Sequence, residues 1–235
     1  MDRDARQLRY EVFQFILERC RHPTVQELVV PGSRDESQVT LQLRKLHDLH
    51  HLKLHDEGVP TPTPIAMVHP FSHLPTPYIV TKAGKLWWVN CAWCAFGLAA
   101  MLSPGEVNVK VLTPSQGELL TFEVVDGDIT KVIGENGERS LQQYYAFFSA
   151  PPSKWWIDVR FACSGIQICT SEQEAQSFAQ RHAFHHGDVI SLDKLWKLSK
   201  AWYSNKAAYD YDRMTPQEVE KLFMDLGLTS LYWTS

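Results

Sequence analysis

A proline-rich stretch constrains the fold of this 235-residue chain more than any other feature. Residues 60–77 hold six prolines: Pro60, Pro62, Pro64, Pro70, Pro75 and Pro77. Proline lacks a backbone N–H and fixes φ, so such a stretch forms neither a helix nor a central strand. We predict a helical domain over residues 1–60, an extended linker over 61–77 and a second domain over 78–235. The apolar run at 65–68 favours a linker that lies across the second domain.

The first domain has the element order of a winged helix. Apolar residues recur at helical spacing over 8–17 and 33–49, and a shorter segment at 25–29 lies between them. An alternating segment at 52–55 then meets a turn at 56–58. Three helices, a strand and a turn in this order predict a winged-helix-like domain.

The charge of this first domain argues against DNA binding. Residues 1–60 contain nine Lys and Arg against ten Asp and Glu, and the whole chain has a formal net charge of −4. Affinity for nucleic acid comes largely from cations that contact phosphates. We therefore interpret this domain as a packing or dimerisation module. Four histidines near its end are interpreted as solvent-facing rather than as a metal site, because no cysteine or carboxylate completes a set: His47, His50, His51 and His55.

The second domain combines hairpins with amphipathic helices. A hairpin over 78–89 precedes an apolar helix that runs from Cys91 to Leu102. Hairpin connections imply an antiparallel sheet, so the predicted fold class is α+β. The remaining predicted elements are strands at 107–112, 119–125, 129–133 and 155–162, and helices at 171–182, 191–204 and 215–226.

The cysteine content points to a reducing compartment. Five cysteines in a chain of this length are not a disulfide framework. The first residues, Met1 to Asp4, have no apolar stretch behind them, and no apolar run approaches the length of a membrane span. We expect a cytoplasmic protein that has no membrane partner. No oligomeric state is predicted.

Cys91-Ala92-Trp93-Cys94 is the most distinctive local motif, because it lies where a strand passes into a helix. Residues i and i+3 share a helix face, and a helix N-terminus favours a thiolate. Such a pair occurs in redox proteins, in half of a zinc site and in ordinary cores, and no second pair makes zinc convincing. The residues alone leave a core role, a reactive role and a metal-binding role open.

From Pro75 to His182 the chain resembles the organomercurial (alkylmercury) lyase family. The family motif is Cys-Ala-Leu-Asp at the start of an apolar helix, after an aromatic strand, and residues 86–94 (LWWVNCAWC) stand in that place. Cys163, followed by Phe178, matches the family's second essential cysteine and a later aromatic residue. The family joins an N-terminal domain of winged-helix character to an α+β catalytic domain.

The resemblance implies an enzyme that cleaves a carbon–mercury bond by protonolysis. Cys91 would be the first thiolate to bind the metal and Cys163 the second. Cys94 replaces the motif aspartate that supplies the proton, so it would be a third metal ligand that either donates the proton or traps the metal. Asp158 is the only acid near Cys163 in sequence, and we interpret it as a surface residue.

The resemblance also bears on the pocket and the partners. Trp93 and Trp88 are candidates for the wall around the organic group. No organic cofactor is expected, because the chain has no glycine-rich phosphate loop. Cellular thiols would remove the product mercury.

Two alternatives stay open at this stage. A family member without the aspartate could cleave another bond, such as carbon–sulfur or carbon–tin. A non-catalytic protein could instead bind or sense a soft metal through the three thiols, with the winged helix transmitting occupancy.

Overall fold

The computed structural model describes residues 1–234. The chain begins with helix α1 (Arg3–Arg19), a single 3-10 turn (Gln26–Leu28), helix α2 (Glu36–Asp48) and strand β1 (Lys53–Leu54). Both helices start at an aspartate whose side chain accepts backbone N–H groups of the first turn. The winged-helix prediction requires three helices before the strand. The structure has two full helices there, and only a short 3-10 turn where the middle helix was predicted.

The proline-rich stretch contains two strands, β2 (Ile65–Val68) and β3 (Phe71–Ser72). Strand β2 pairs antiparallel with β1 on one side and β3 on the other, so it is a central strand. The expectation that this stretch excludes a central strand is wrong, because Pro64 and Pro70 flank β2 and no proline lies within it. All four residues of β2 are buried. The division into three parts remains a prediction.

The main sheet has six antiparallel strands in the order β5-β4-β6-β7-β8-β9. Helix α3 follows β5 and is buried from Ala92 to Ala100, so it forms the centre of the core. The predicted hairpin, apolar helix and three following strands are all present. Their bounds are β4 (Tyr78–Lys82), β5 (Lys85–Trp88), α3 (Ala92–Leu102), β6 (Glu106–Leu112), β7 (Leu119–Val125), β8 (Asp128–Gly134) and β9 (Gly137–Arg139).

The rest of the chain adds a three-stranded antiparallel sheet, of order β11-β10-β12, and five helices. The three helices predicted after residue 170 are α5, α6 and α7. The elements are β10 (Tyr145–Phe148), α4 (Val159–Ser164), β11 (Gln167–Cys169), α5 (Glu172–Arg181), β12 (Asp188–Ser191), α6 (Leu192–Tyr203), α7 (Pro216–Asp225) and α8 (Leu231–Thr234). Within residues 1–234, no helix has the length and apolar character needed to cross a membrane.

The strand predicted at 155–162 is wrong, because the chain forms turns and then helix α4 there. The buried residues of this segment are Val159, Ala162 and Cys163, which have the i, i+3, i+4 spacing of a helix. The Asp158 side chain caps α4 by accepting the Phe161 N–H at 3.0 Å. Helix α4 therefore carries Cys163 on its buried face.

Helix α6 packs against α3 at unusually short range. A Cβ atom at Gly97 would lie 2.4 Å from the ring of Tyr203, which is almost fully buried. Only glycine lets the tyrosine ring approach the α3 backbone this closely. The contact holds the end of α6 against the middle of α3.

Candidate active site

The start of α3 places two thiols together in the core. Cys91 is the N-cap residue, and its Sγ accepts the Cys94 N–H at 3.4 Å. Both cysteines are buried. Asn90 joins this corner to the β2–β3 turn, because its Nδ2 donates to the carbonyl oxygens of Pro70 (3.0 Å) and Phe71 (2.9 Å).

The β2–β3 turn and α4 bring a histidine and a third thiol to the same place. Nε2 of His69 lies 3.4 Å from Sγ of Cys163. The ligand atoms of His69, Cys94 and Cys163 all lie within 4.8 Å of one another. This is a compact set of soft and borderline ligands of the kind that thiophilic metals prefer.

The pKa values of the three thiols are shifted in different directions. Burial alone would raise the pKa of Cys94, but hydrogen bonds with Cys163 and Cys91, and the nearby His69 and Tyr203, hold it well below its ordinary value. Burial and the hydrogen bonds with the other two thiols raise the pKa of Cys91. The pKa of Cys163 is also raised: its bond with Cys91 lowers it, but its bond with Cys94 and its burial outweigh that. Within this hydrogen-bonded group, negative charge is therefore favoured on Cys94 over Cys91 and Cys163.

The end of α6 and the loop after it complete the surroundings of Cys94. Tyr203 Oη lies 3.5 Å from Cys94 Sγ. Lys206 Nζ lies 4.7 Å from the centroid of the Tyr203 ring. The loop is held by buried Arg9 of α1, which donates to the carbonyl oxygens of Lys206 (2.7 Å) and Ala208.

These groups line one cavity with a volume of about 100 Å³. Cys94 and Cys163 face it, whereas Cys91 lies behind them and does not line it. Trp93 belongs to the wall, where its ring packs against Trp155 at 5.1 Å and Trp202 at 5.2 Å between centroids. No Asp or Glu of the described residues lines the cavity. The site can hold a small organic group against aromatic walls with a soft metal on its thiols.

Comparison with known proteins identifies the family of this chain. The sequence model of the alkylmercury lyase (MerB) family matches residues 71–204, more than half of the chain. The chain belongs to the alkylmercury lyase family. It is therefore an enzyme of the class that cleaves carbon–mercury bonds in small organomercurial molecules. No curated protein matches the sequence.

A solved alkylmercury lyase shares the fold. A crystal structure described as the mercury-bound form of MerB2 is 14% identical to this chain and superposes with a TM-score of 0.65. The match covers 88% of this chain and 93% of that one. At this identity the likeness establishes the α+β fold.

Some predicted positions of this lyase-family chain need correction. Trp88 lies outside the cavity and is 37% exposed, because alternate residues of β5 face opposite ways and Trp87 takes the buried side. Asp158 needs no correction: it was interpreted as a surface residue, and it is exposed and lies outside the cavity. Three of the four histidines interpreted as solvent-facing lie after α2. His51 is buried and belongs to the cavity wall, so it does not face solvent. His50 is exposed, and its ring stacks on that of Trp156 at 4.3 Å between centroids.

Sequence reasoning missed His69, Tyr203 and Lys206. His69 lies inside the stretch interpreted as a linker, and the other two lie at the end of a helix with no motif. One local signal could have pointed to His69. The apolar run at 65–68 is followed directly by His69 and Pro70, and a proline after such a run indicates that a strand ends there at a turn. Tyr203 and Lys206 join the alkylmercury lyase site only through tertiary packing.

Proposed function

We propose that the chain cleaves organomercurials by protonolysis, with Cys94 and Cys163 as the thiols that take the metal and Cys91 as a third thiol behind them. One observation supports this most directly: two thiols and a histidine meet at a small aromatic cavity that no Asp or Glu of residues 1–234 lines. The family's motif aspartate is absent, so the thiols and His69 must handle the proton as well as the metal.

Capture begins at Cys94. Its thiolate takes R–Hg⁺ because mercury is soft and prefers sulfur to oxygen or nitrogen. Cys163 follows as second ligand and releases its proton to His69, whose Nε2 is within hydrogen-bonding range of the sulfur. Cys91 stabilises the Cys94 thiolate before capture and is a further ligand for the metal ion afterwards.

Cleavage then needs one proton at carbon. The electron pair of the carbon–mercury bond stays with carbon, which takes the proton that Cys163 released. The overall change is R–Hg⁺ with one thiolate and one thiol giving R–H and a neutral mercury dithiolate, so atoms and charge balance. Coordination to mercury drives the proton off the Cys163 thiol, and the His69 imidazolium then gives the proton up readily to carbon, because burial lowers its pKa to about 4.

Product removal requires other thiols. The mercury dithiolate exchanges with thiols from the cell, which return protons to the cysteines as they take the metal. We place this reaction in the cytoplasm, where thiols are kept reduced. No organic cofactor has a role in this scheme.

The test is a turnover assay with phenylmercury under excess thiol, with benzene measured by gas chromatography. We expect many benzene molecules per protein, with turnover lost in Cys91→Ser and Cys163→Ser. Cys20→Ser is the matched control, because Cys20 is half-buried at the end of α1, outside the cavity.

Stoichiometric mercury uptake without benzene would contradict the proposal. If Cys94→Asp then gained turnover, the natural protein would be a metal binder on a lyase scaffold. If Cys94→Asp retained wild-type turnover, Cys94 would not be the capturing thiol, because a carboxylate is a poor ligand for mercury.

A further inference from the structure

The cavity contains two cationic side chains that have no carboxylate partner among residues 1–234. Lys206 and Arg213 line it, and no Asp or Glu of residues 1–234 does. Within the same residues, the Lys206 ammonium has no hydrogen bond or salt bridge and lies only over the Tyr203 ring. Arg213 donates to the carbonyl oxygen of Leu49 at 3.1 Å and lies over the Trp156 ring at 5.6 Å, again without a carboxylate.

The two cations differ in exposure. Arg213 is exposed, whereas Lys206 is half-buried next to the aromatic wall. A charge that is partly withdrawn from water is stabilised by a group of opposite charge, so the position of Lys206 favours an anionic group on a bound substrate. Burial lowers the pKa of Lys206 to about 8.

The walls favour a flat ring. Four tryptophans line the cavity, and faces and edges of aromatic side chains pack well on an aryl group. The volume of about 100 Å³ is on the scale of cavities that hold benzene. The tryptophans are Trp93, Trp155, Trp156 and Trp202.

We propose that the preferred substrates are arylmercurials that carry an anionic group, above all a carboxylate, with Arg213 and Lys206 as its partners. The guanidinium of Arg213 offers a planar pair of donors that matches a carboxylate. The ammonium of Lys206 supplies a second positive charge deeper in the cavity. The inference rests on the proposed function and names the substrate class of the same site.

The test compares three substrates that share the aryl carbon–mercury bond. They are 4-mercuribenzoate, its neutral isostere 4-mercuribenzamide, and phenylmercury, each assayed for kcat/KM under the same excess thiol. We expect the carboxylate to exceed the carboxamide by about tenfold in the natural protein, the effect of one additional charged contact. Arg213→Met, which keeps apolar cover over Trp156, should reduce this ratio about tenfold.

Lys206→Met separates recognition from chemistry. If Lys206 contacts the anionic group, the ratio of kcat/KM for the carboxylate to kcat/KM for the carboxamide falls in Lys206→Met. If all three substrates slow equally in both variants, the cations serve another purpose and the inference is overturned. A natural protein that handles the carboxamide as well as the carboxylate overturns it also.

A binding measurement keeps the inference independent of turnover. Tryptophan fluorescence quenching by the carboxylate and carboxamide compounds, in competition with added thiol, gives their relative affinities for the natural protein. If no compound releases hydrocarbon, the proposed function fails, but a carboxylate that binds about tenfold more tightly still supports the anion site. Equal affinities would reject the anion site even if turnover is normal.

Discussion

The two walls of the cavity are built in different ways. The Cys91–Cys94 wall is the first turn of α3, a helix buried from Ala92 to Ala100 between the main sheet and α6. The facing wall is assembled from short pieces: the β2–β3 turn, α4 and the loop after α6. Single side chains hold these pieces, namely Asn90, Asp158 and Arg9. Apart from the two cysteines themselves, changes in the first wall should therefore affect stability, and changes in the second should affect chemistry first.

The largest effect on turnover is expected at Cys163, the thiol of the assembled wall. Cys163→Ser removes the second mercury ligand while leaving a group that still hydrogen-bonds to His69. We expect kcat for benzene release to fall roughly thousandfold or more, as loss of a nucleophile does in other enzymes. Urea unfolding should show little change in stability. Turnover within tenfold of the natural protein would mean that Cys91, not Cys163, is the second ligand.

The core wall is tested at Gly97, where an added methyl group meets the Tyr203 ring. The Tyr203 ring is nearly fully buried and would lie 2.4 Å from the added Cβ atom. We expect Gly97→Ala to cost about 1–3 kcal/mol in the free energy of unfolding, despite the better helix propensity of alanine. Urea unfolding measures this cost.

A double-mutant cycle supplies the control for Gly97. In a Tyr203→Ala background the obstructing ring is gone, so the same Gly97→Ala change should be neutral or stabilising by up to about 1 kcal/mol. An equal cost in both backgrounds would place the strain elsewhere in α3.

The same contrast explains what the sequence predicts well. The hairpin, α3 and strands β6 to β8 agree with the prediction within a few residues, because their periodicity and turns are local. The helix predicted at 215–226 is likewise fixed by a local signal, the capping box of Thr215 at the start of α7. The segment at 155–162 was mispredicted because its aromatic residues suggest a strand, whereas tertiary burial of Val159 and Cys163 selects a helix. His69, which lies in the Pro-rich stretch, was missed for the same reason: the residues that His69 contacts lie far along the chain.

Low pH should destabilise the assembled wall of the cavity. Burial lowers the pKa of His51 to about 3, with nearby Arg9 adding to the effect, and burial lowers that of His69 to about 4. Both pKa values lie below the value of about 6.5 in an unfolded chain. The stabilisation from these neutral histidines is thus complete above pH 6.5 and is lost as pH falls toward 4. The α3 helix itself contains no histidine.

Urea unfolding between pH 7.5 and 5 measures this loss. Below about pH 6.5 each histidine should contribute a slope of up to about 1.4 kcal/mol per pH unit. His51→Gln should reduce the slope, because glutamine does not titrate. A flat stability profile over this range would show that the histidines take up protons in the folded state.

The smallest effect is expected at Asp158, the one acid near Cys163 in sequence. Its side chain caps α4 and lies outside the cavity. Asp158→Ala should cost about 1 kcal/mol of stability through the lost cap, and Asp158→Asn should cost less because asparagine also caps helices. Both variants should keep benzene turnover within about twofold, which corresponds to less than 0.5 kcal/mol in the barrier. If Asp158→Asn instead lost turnover while its stability was intact, the proton would come from this carboxylate, and α4 would have to turn it toward the cavity during the reaction.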